Sequence, residues 1–214
     1  MTLHYTLAEA AAIMGASPPV GGADVIMKSV STDTRTLQPG DVFFALCGDN
    51  YDGDTFVEDA FARGAAAAVT HRPHKRGPCV IVENPLTALQ RLAASHRARC
   101  AARIIAITGS CGKTTSKDMI AAVLGSKYSV IKTPGNLNND IGCPMSLLRS
   151  TSDTGFAVIE MGANHKGEIA QLCDIARPHE SAVTLVAPAH LEGFGSIDDI
   201  ALAKSEILEA LPED

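Results

Sequence analysis

The chain has 214 residues, a formal net charge of −6, 46% hydrophobic residues and 20% charged residues. This length allows one large domain or two small ones with adequate cores, and the composition excludes disorder. The acidic balance argues against sequence-independent nucleic-acid binding, the scarcity of aromatics and absence of Trp argue against a base-stacking platform, and no apolar run approaches the ~20 residues of a membrane span.

Thr6 and Glu9 form a capping-box pattern before a predicted helix over Leu7–Met14, which Gly15 ends. Extended segments are predicted over residues 27–32 and 41–46. Asp54 is expected to cap a second helix with Val57, Ala60 and Phe61 on its apolar face and Gly64 at its end. Ala67–Thr70 and residues 79–82 read as strands, joined by a polar, Pro-containing stretch. Asn84-Pro85 opens a helix with Leu86, Leu89, Leu92 and Ala93 at helical spacing. From Arg103 the pattern alternates, with strands predicted at Arg103–Thr108, Phe156–Glu160 and residues 181–186. Alternation of this kind implies a parallel sheet packed against helices. A last amphipathic helix starts at a Ser196/Asp199 capping pattern, and the chain stops at Asp214 without completing a recognisable sheet. The expected fold is therefore α/β. A small mixed α/β domain over residues 1–83 precedes an incomplete phosphate-loop-type parallel-sheet domain over 84–214.

The N-terminus lacks the pattern of a signal peptide, so a cytoplasmic location is expected. Cys47, Cys79, Cys100, Cys111, Cys143 and Cys173 form no CxxC pair and are expected to be free thiols.

The strongest chemical signal is Thr108-Gly109-Ser110-Cys111-Gly112-Lys113-Thr114-Thr115. It follows an apolar strand and opens a helix whose inner face is predicted to carry Met119, Ile120, Val123 and Leu124. Glycines let backbone N–H groups turn toward an anion, and the helix N-terminus adds partial positive charge. In a phosphate loop Lys113 reaches the β/γ-phosphates and the Thr114 hydroxyl ligates Mg2+. The general GxxxxGK[ST] pattern wants glycine where Ile107 stands, so this is a short GxxGKT variant. Cys111, inside the loop, is expected to be the most readily alkylated thiol.

Glu160 ends an apolar strand at the sheet edge where α/β folds bind ligands, and a carboxylate there can hold Mg2+ beside the loop. His190 stands just past another strand, where a surface residue and a site residue are both consistent with the sequence. Lys204 falls near the middle of a stripe formed by Ile200, Ala203, Ile207, Leu208 and Leu211. Burying an ammonium is costly, so either its stem snorkels to water or the lysine belongs to a site.

Together these residues resemble the ATP-dependent Mur ligase family of cell-wall synthesis over almost the whole chain, in the branch that adds D-alanyl-D-alanine. Residues 31–35 (STDTR), 39–46 (PGDVFFAL) and Asp52-Gly53 are similar to its UDP-sugar-binding domain. Gly109 to Thr115 matches its short ATP loop, and residues 135–142 (GNLNNDIG), 160–165 (EMGANH) and 189–196 (AHLEGFGS) match the branch. The family often has Asn shortly before the histidine, where this chain reads Thr184-Leu185-Val186.

The resemblance implies site roles. Gly109, Ser110, Cys111, Gly112, Lys113, Thr114, Thr115 and Asn139 would contact ATP. Ser31, Thr32, Asp33, Arg35 and Leu46 would contact the UDP-sugar substrate, with Arg35 in either a ligand contact or a structural ion pair. Thr114 and Glu160 would ligate Mg2+, and His190 a second Mg2+. Lys204 would be the lysine that CO2 carbamylates to support a metal, and Lys113, Lys204 and His190 the catalytic groups. The implied cofactors are ATP and Mg2+. The implied partners are UDP-MurNAc-tripeptide and D-Ala-D-Ala, with no nucleic acid and no membrane insertion, and the protein is expected to be a monomer. The implied chemistry is amide formation through an acyl phosphate. The family has three domains, and this chain is expected to hold the first and about half of the second, too little for turnover alone. Other readings are the related ligase that adds the third amino acid, a phosphate-loop kinase or NTPase, and a UDP-sugar-binding module without turnover.

Overall fold

A computed structural model of the chain describes residues 3–48, 51–188 and 191–213, with the backbone alone for Leu191 and Glu192. It divides into two compact units, Met1–Ser95 and His96–Asp214.

In the first unit, α1 (Leu7–Met14) starts at a complete capping box: the Glu9 N–H donates to Thr6 Oγ1 at 3.2 Å, and the Thr6 N–H donates to Glu9 Oε2 at 2.8 Å. Gly15 ends it at φ +79, a left-handed conformation that glycine adopts without strain. There follow β1 (Val30–Ser31), β2 (Val42–Phe44), a short antiparallel pair β3 (Cys47–Gly48) and β4 (Tyr51–Asp52), and a 3-10 turn over Gly53–Phe56. Next come α2 (Val57–Ala62), β5 (Ala67–Thr70), β6 (Cys79–Ile81) and α3 (Pro85–Arg99). The sheet order is β1-β2-β5-β6, parallel throughout. Every residue of β2 and β5 is buried, as expected of parallel strands covered on both faces. Leu37, Phe43, Ala45, Val57, Ala60 and Ala68 form one core cluster beneath α2.

The extended segments expected over 27–32 and 41–46 narrow to β1 and β2. Asp54 does not cap α2. It lies inside the 3-10 turn, whose cap is Asp52, with Asp52 Oδ1 accepting from the Asp54 N–H at 2.9 Å. The Asp54 carboxylate is instead buried against Arg72 Nε at 3.1 Å. The two units part within α3. Its residues 85–95 belong to the first unit, where Leu89 and Leu92 are buried and Arg91 Nη1 donates to the Met14 carbonyl at 3.2 Å.

The second unit contains β7 (Arg103–Thr108), α4 (Lys113–Gly125), β8 (Val130–Lys132), α5 (Gly142–Leu147), β9 (Phe156–Glu160), α6 (Glu168–Ala176), β10 (Glu180–Val183), α7 (Leu191–Phe194) and α8 (Ile197–Glu209). Its sheet is also parallel, in the order β10-β7-β9-β8. The carboxyl ends of β7, β9 and β10 therefore bring Thr108, Glu160 and Val183 to one edge. Such an edge is where ligand crevices form in α/β sheets.

Three expectations need correction here, and one strand lies outside them. The strand β8 was not predicted, because three residues with an exposed Lys132 carry too little pattern. The strand expected over 181–186 stops at Val183, after which the Leu185 carbonyl turns to accept the Ser110 N–H at 2.7 Å. On α4, Met119 and Val123 are 64% and 72% exposed, and the inner face is made by Lys117 and Ala121 with Ile120 and Leu124 partly buried. On α8, Ile200, Ala203, Lys204 and Ile207 are buried, but Leu208 is exposed and Leu211 lies past the helix end. Among the described residues, no helix is long and apolar enough to cross a membrane.

Candidate active site

The phosphate-loop residues link the end of β7 to the start of α4. Gly109 has φ +148, and a Cβ there would collide with Thr184 Oγ1. Gly112, at φ +85, turns the chain into α4. Both positions require glycine for conformational reasons. The Thr184 hydroxyl lies 2.5 Å from the Cys111 carbonyl and 3.2 Å from the Thr108 carbonyl, so it ties the loop to the strand end. Ser110 Oγ donates to the Ala187 carbonyl at 2.9 Å and accepts from the Ala187 N–H at 3.1 Å. Lys113 Nζ donates to the Gly109 carbonyl at 2.8 Å, arching over the loop. Cys111, Thr114 and Thr115 are exposed at its mouth.

Glu160 closes the site from the end of β9 and is only 1% exposed. Its Oε2 accepts from Thr114 Oγ1 at 2.9 Å and its Oε1 from Asn138 Nδ2 at 2.7 Å. The Glu160 N–H donates to Thr133 Oγ1 at 2.9 Å, which fixes the strand end. Lys117, also 1% exposed, donates from Nζ to the Gly135 carbonyl at 2.8 Å and lies 3.7 Å from Glu160 Oε2. Sequence reasoning missed Lys117, Asn138 and Thr184. Lys117 had a readable signal, since it stands three residues after Thr114 and so shares its helix face. Asn139, the predicted nucleotide contact, is exposed, and its Oδ1 accepts from the Gly142 N–H at 2.9 Å at the start of α5. Its neighbour Asn138 is the residue that reaches Glu160.

The Thr114 hydroxyl and the Glu160 carboxylate are hard oxygen donors beside the 109–113 loop. Among the described residues, no group of three His, Cys, Asp or Glu side chains is placed to hold a metal. One carboxylate with a hydroxyl suits Mg2+, which keeps several waters and takes other ligands from substrate phosphates.

Lys204 is 4% exposed on α8, with Nζ 5.8 Å from the centroid of the Phe194 ring. Burial first, and then repulsion from the Lys113 charge, hold its pKa below the ordinary lysine value. Among the described residues it has no anionic partner. Two positions later, Glu206 Oε1 accepts from the Gly167 N–H at 2.7 Å and Oε2 from the Ala170 N–H at 3.0 Å. An anion at a helix N-terminus is stabilising, so this contact fastens α8 to the start of α6. His190 lies outside the described residues.

In the first unit, a cavity of about 490 Å³ is lined by Thr32, Asp33, Thr34, Arg35, Phe43, Leu46, Tyr51, Gly53 and Phe56. Four of the five predicted substrate residues line it. The fifth, Ser31, is buried beneath, where its Oγ donates to the Asp33 carbonyl at 3.0 Å and shapes the turn. Arg35 is paired with Asp33 at 2.6 Å, and that guanidinium holds the Asp33 carboxyl at a pKa of about 2. All six cysteines are free thiols; burial pushes Cys143 and Cys173 up to about 12.

Comparison with known proteins accounts for both units. The Mur ligase middle domain matches residues 107–214, and the Mur ligase family catalytic domain matches residues 27–106. The UDP-N-acetylmuramoyl-tripeptide–D-alanyl-D-alanine ligase of Escherichia coli K12 is 48% identical over 193 residues, 90% of this chain and 43% of that protein. A crystal structure of MurF from Acinetobacter baumannii superposes with a TM-score of 0.89 at 35% identity, covering 97% of this chain and 47% of that one. MurF from Thermotoga maritima, in complex with ADP, superposes with a TM-score of 0.79 at 35% identity, covering 87% of this chain and 44% of that one. The chain thus spans less than half the length of these relatives. Matched along both units, it belongs to the Mur ligase family.

Proposed function

We propose that the protein carrying this chain is an ATP-dependent amide ligase that joins D-Ala-D-Ala to UDP-MurNAc-tripeptide in peptidoglycan precursor synthesis. The observation that carries this reading is the meeting of the phosphate loop with Glu160 through Thr114 at 2.9 Å. The name of the Escherichia coli relative supports the substrates, and the ADP complex of the Thermotoga maritima relative supports the nucleotide.

The chemistry runs in two steps. A carboxylate oxygen of the tripeptide attacks the γ-phosphorus of ATP, giving an acyl phosphate and ADP. The amine of D-Ala-D-Ala then attacks the acyl carbon, phosphate leaves, and the amine loses a proton. The backbone of residues 109–113 would cradle the phosphates, and Lys113 would turn from the Gly109 carbonyl to the transferring phosphoryl group. Thr114 and Glu160 would hold Mg2+, which offsets phosphate charge. Lys204, whose pKa burial holds below the ordinary lysine value, would lose a proton to give the amine that adds to CO2, forming a carbamate and releasing a second proton. That reaction converts a costly buried cation into an anion beside Lys113. The cavity bounded by Arg35, Leu46 and Tyr51 would take the UDP end of the substrate.

The test is a ligation assay on the protein that carries this chain, with UDP-MurNAc-tripeptide, D-Ala-D-Ala, ATP, Mg2+ and bicarbonate. Full release of ADP and phosphate is expected only with both the tripeptide donor and the dipeptide acceptor present. Steady ATP hydrolysis without either substrate contradicts the reading.

A further inference from the structure

Lys117 is the most deeply buried charge of the second unit that the proposed reaction does not use. It is 1% exposed, and lysine is almost never fully buried unless paired. Two contacts account for its position. Its Nζ donates to the Gly135 carbonyl at 2.8 Å, in the loop before α5, and it lies 3.7 Å from Glu160 Oε2. Its third neighbour, Asp118 Oδ1 at 3.6 Å, is half exposed and is also bonded by Lys132 at 2.8 Å.

The arrangement surrounds one carboxylate. Asn138, from the same loop as Gly135, occupies Glu160 Oε1. Thr114 and Lys117, one turn apart on α4, approach Oε2. The loop is itself docked on the strand end, because the Gly162 N–H donates to the Asn138 carbonyl at 2.8 Å and a Cβ at Gly162 would meet Asn138 Oδ1 at 2.6 Å. Lys117 therefore reaches the carboxylate both by charge and through the loop that carries Asn138.

We propose that Lys117 is a positioning residue for the divalent-cation site: it holds the Glu160 carboxylate and the 135–138 loop so that Oε2 stays beside the Thr114 hydroxyl. The inference rests on the reading of Thr114 and Glu160 as Mg2+ ligands. Two effects oppose each other when the lysine is removed. Losing a nearby positive charge strengthens attraction for a cation, whereas losing the tether frees the carboxylate and the loop. Glu160 and Lys117 are each 1% exposed, and breaking a buried pair leaves a charge without its counter-charge, so the loss of the tether outweighs the gain in attraction. Groups that orient metal ligands commonly carry ~10–100-fold of metal affinity.

The experiment measures binding of a fluorescent ADP analogue to the full chain across a Mg2+ titration, and again in EDTA. The variants are Lys117→Met and Lys117→Gln, each with a thermal melt. Gln retains a donor for the Gly135 carbonyl but not the charge, so it serves if Met does not fold. The expected result is a rise of ~10-fold or more in the Mg2+ concentration at half-effect, with affinity in EDTA within about two-fold of wild type. A folded variant whose Mg2+ half-point is unchanged or lower overturns the positioning role. A wild-type chain that binds the analogue without any Mg2+ dependence, or not at all, overturns the underlying site reading and this inference with it.

Discussion

Thr114 and Glu160, 46 residues apart in the chain, share a hydrogen bond of 2.9 Å between the first turn of α4 and the end of β9. A parallel sheet makes this possible, because β7 and β9 are neighbours and end at the same edge. Replacing Thr114 by Val keeps the shape and deletes the hydroxyl. Glu160 Oε2 then loses its hydrogen-bond donor, and the expected cost is about 1–3 kcal/mol of unfolding free energy. Urea denaturation checks this, and a Thr114→Val chain as stable as wild type rejects the contact.

Lys204→Met is expected to stabilise the chain at neutral pH in CO2-free buffer. A lysine whose folded pKa is depressed binds fewer protons folded than unfolded, so stability rises with pH between the folded value and the ordinary value near 10.4. The gain from Lys204→Met should therefore be largest below that window and shrink as pH rises through it. Thermal melts of both chains across the alkaline range measure the difference, and a constant gain counts against burial of the charge.

Arg35→Ala is expected to release Asp33. The carboxyl titrates at about 2 because the Arg35 guanidinium hydrogen-bonds it, so its value should return toward ~3.9. Carboxyl chemical shifts followed by NMR report this directly. The pair is exposed, so little change in stability is expected, and the larger effect should be weaker UDP-sugar binding. Unchanged affinity in the folded variant leaves Arg35 with a structural role alone.

Cys111 should be the first thiol to react with iodoacetamide, and Mg2+-ATP should slow that reaction. It is exposed at the loop mouth, whereas Cys143 and Cys173 are buried with raised pKa values. The other exposed thiol, Cys47, has its pKa raised by burial and by Asp52. Mass-mapped labelling with and without nucleotide decides, and equal labelling of Cys111 in both conditions contradicts its place in a nucleotide site.

Much of this was legible in the sequence where local chemistry speaks for itself. The Thr6/Glu9 capping box, the strand–loop–helix around Gly109 to Thr115 and the place of Lys204 on the apolar stripe of its helix follow from caps, glycine positions and helical period. What escaped was set by tertiary contact. Helical spacing places Lys117 on the face of Thr114, but its burial comes from the Gly135 carbonyl, 18 residues away, and from Glu160. For the same reason Met119 and Val123 were assigned to the inner face they do not occupy. Asn138 and Asn139 are adjacent and chemically identical, so no pattern distinguishes the one that meets Glu160 from the one that meets Gly142. Asp54 has the residue type of a cap, but an arginine 18 positions away claims its carboxylate.

The most direct test of the phosphate-loop assignment is the ligation rate of Lys113→Ala in the protein that carries this chain, measured with its affinity for UDP-MurNAc-tripeptide. Loss of a group that stabilises transferring charge commonly costs ~10²–10³ in rate. The expected result is a fall of at least that size with UDP-substrate affinity nearly unchanged, because the cavity lined by Arg35 and Leu46 does not include Lys113. Ligation at a near wild-type rate would contradict the account.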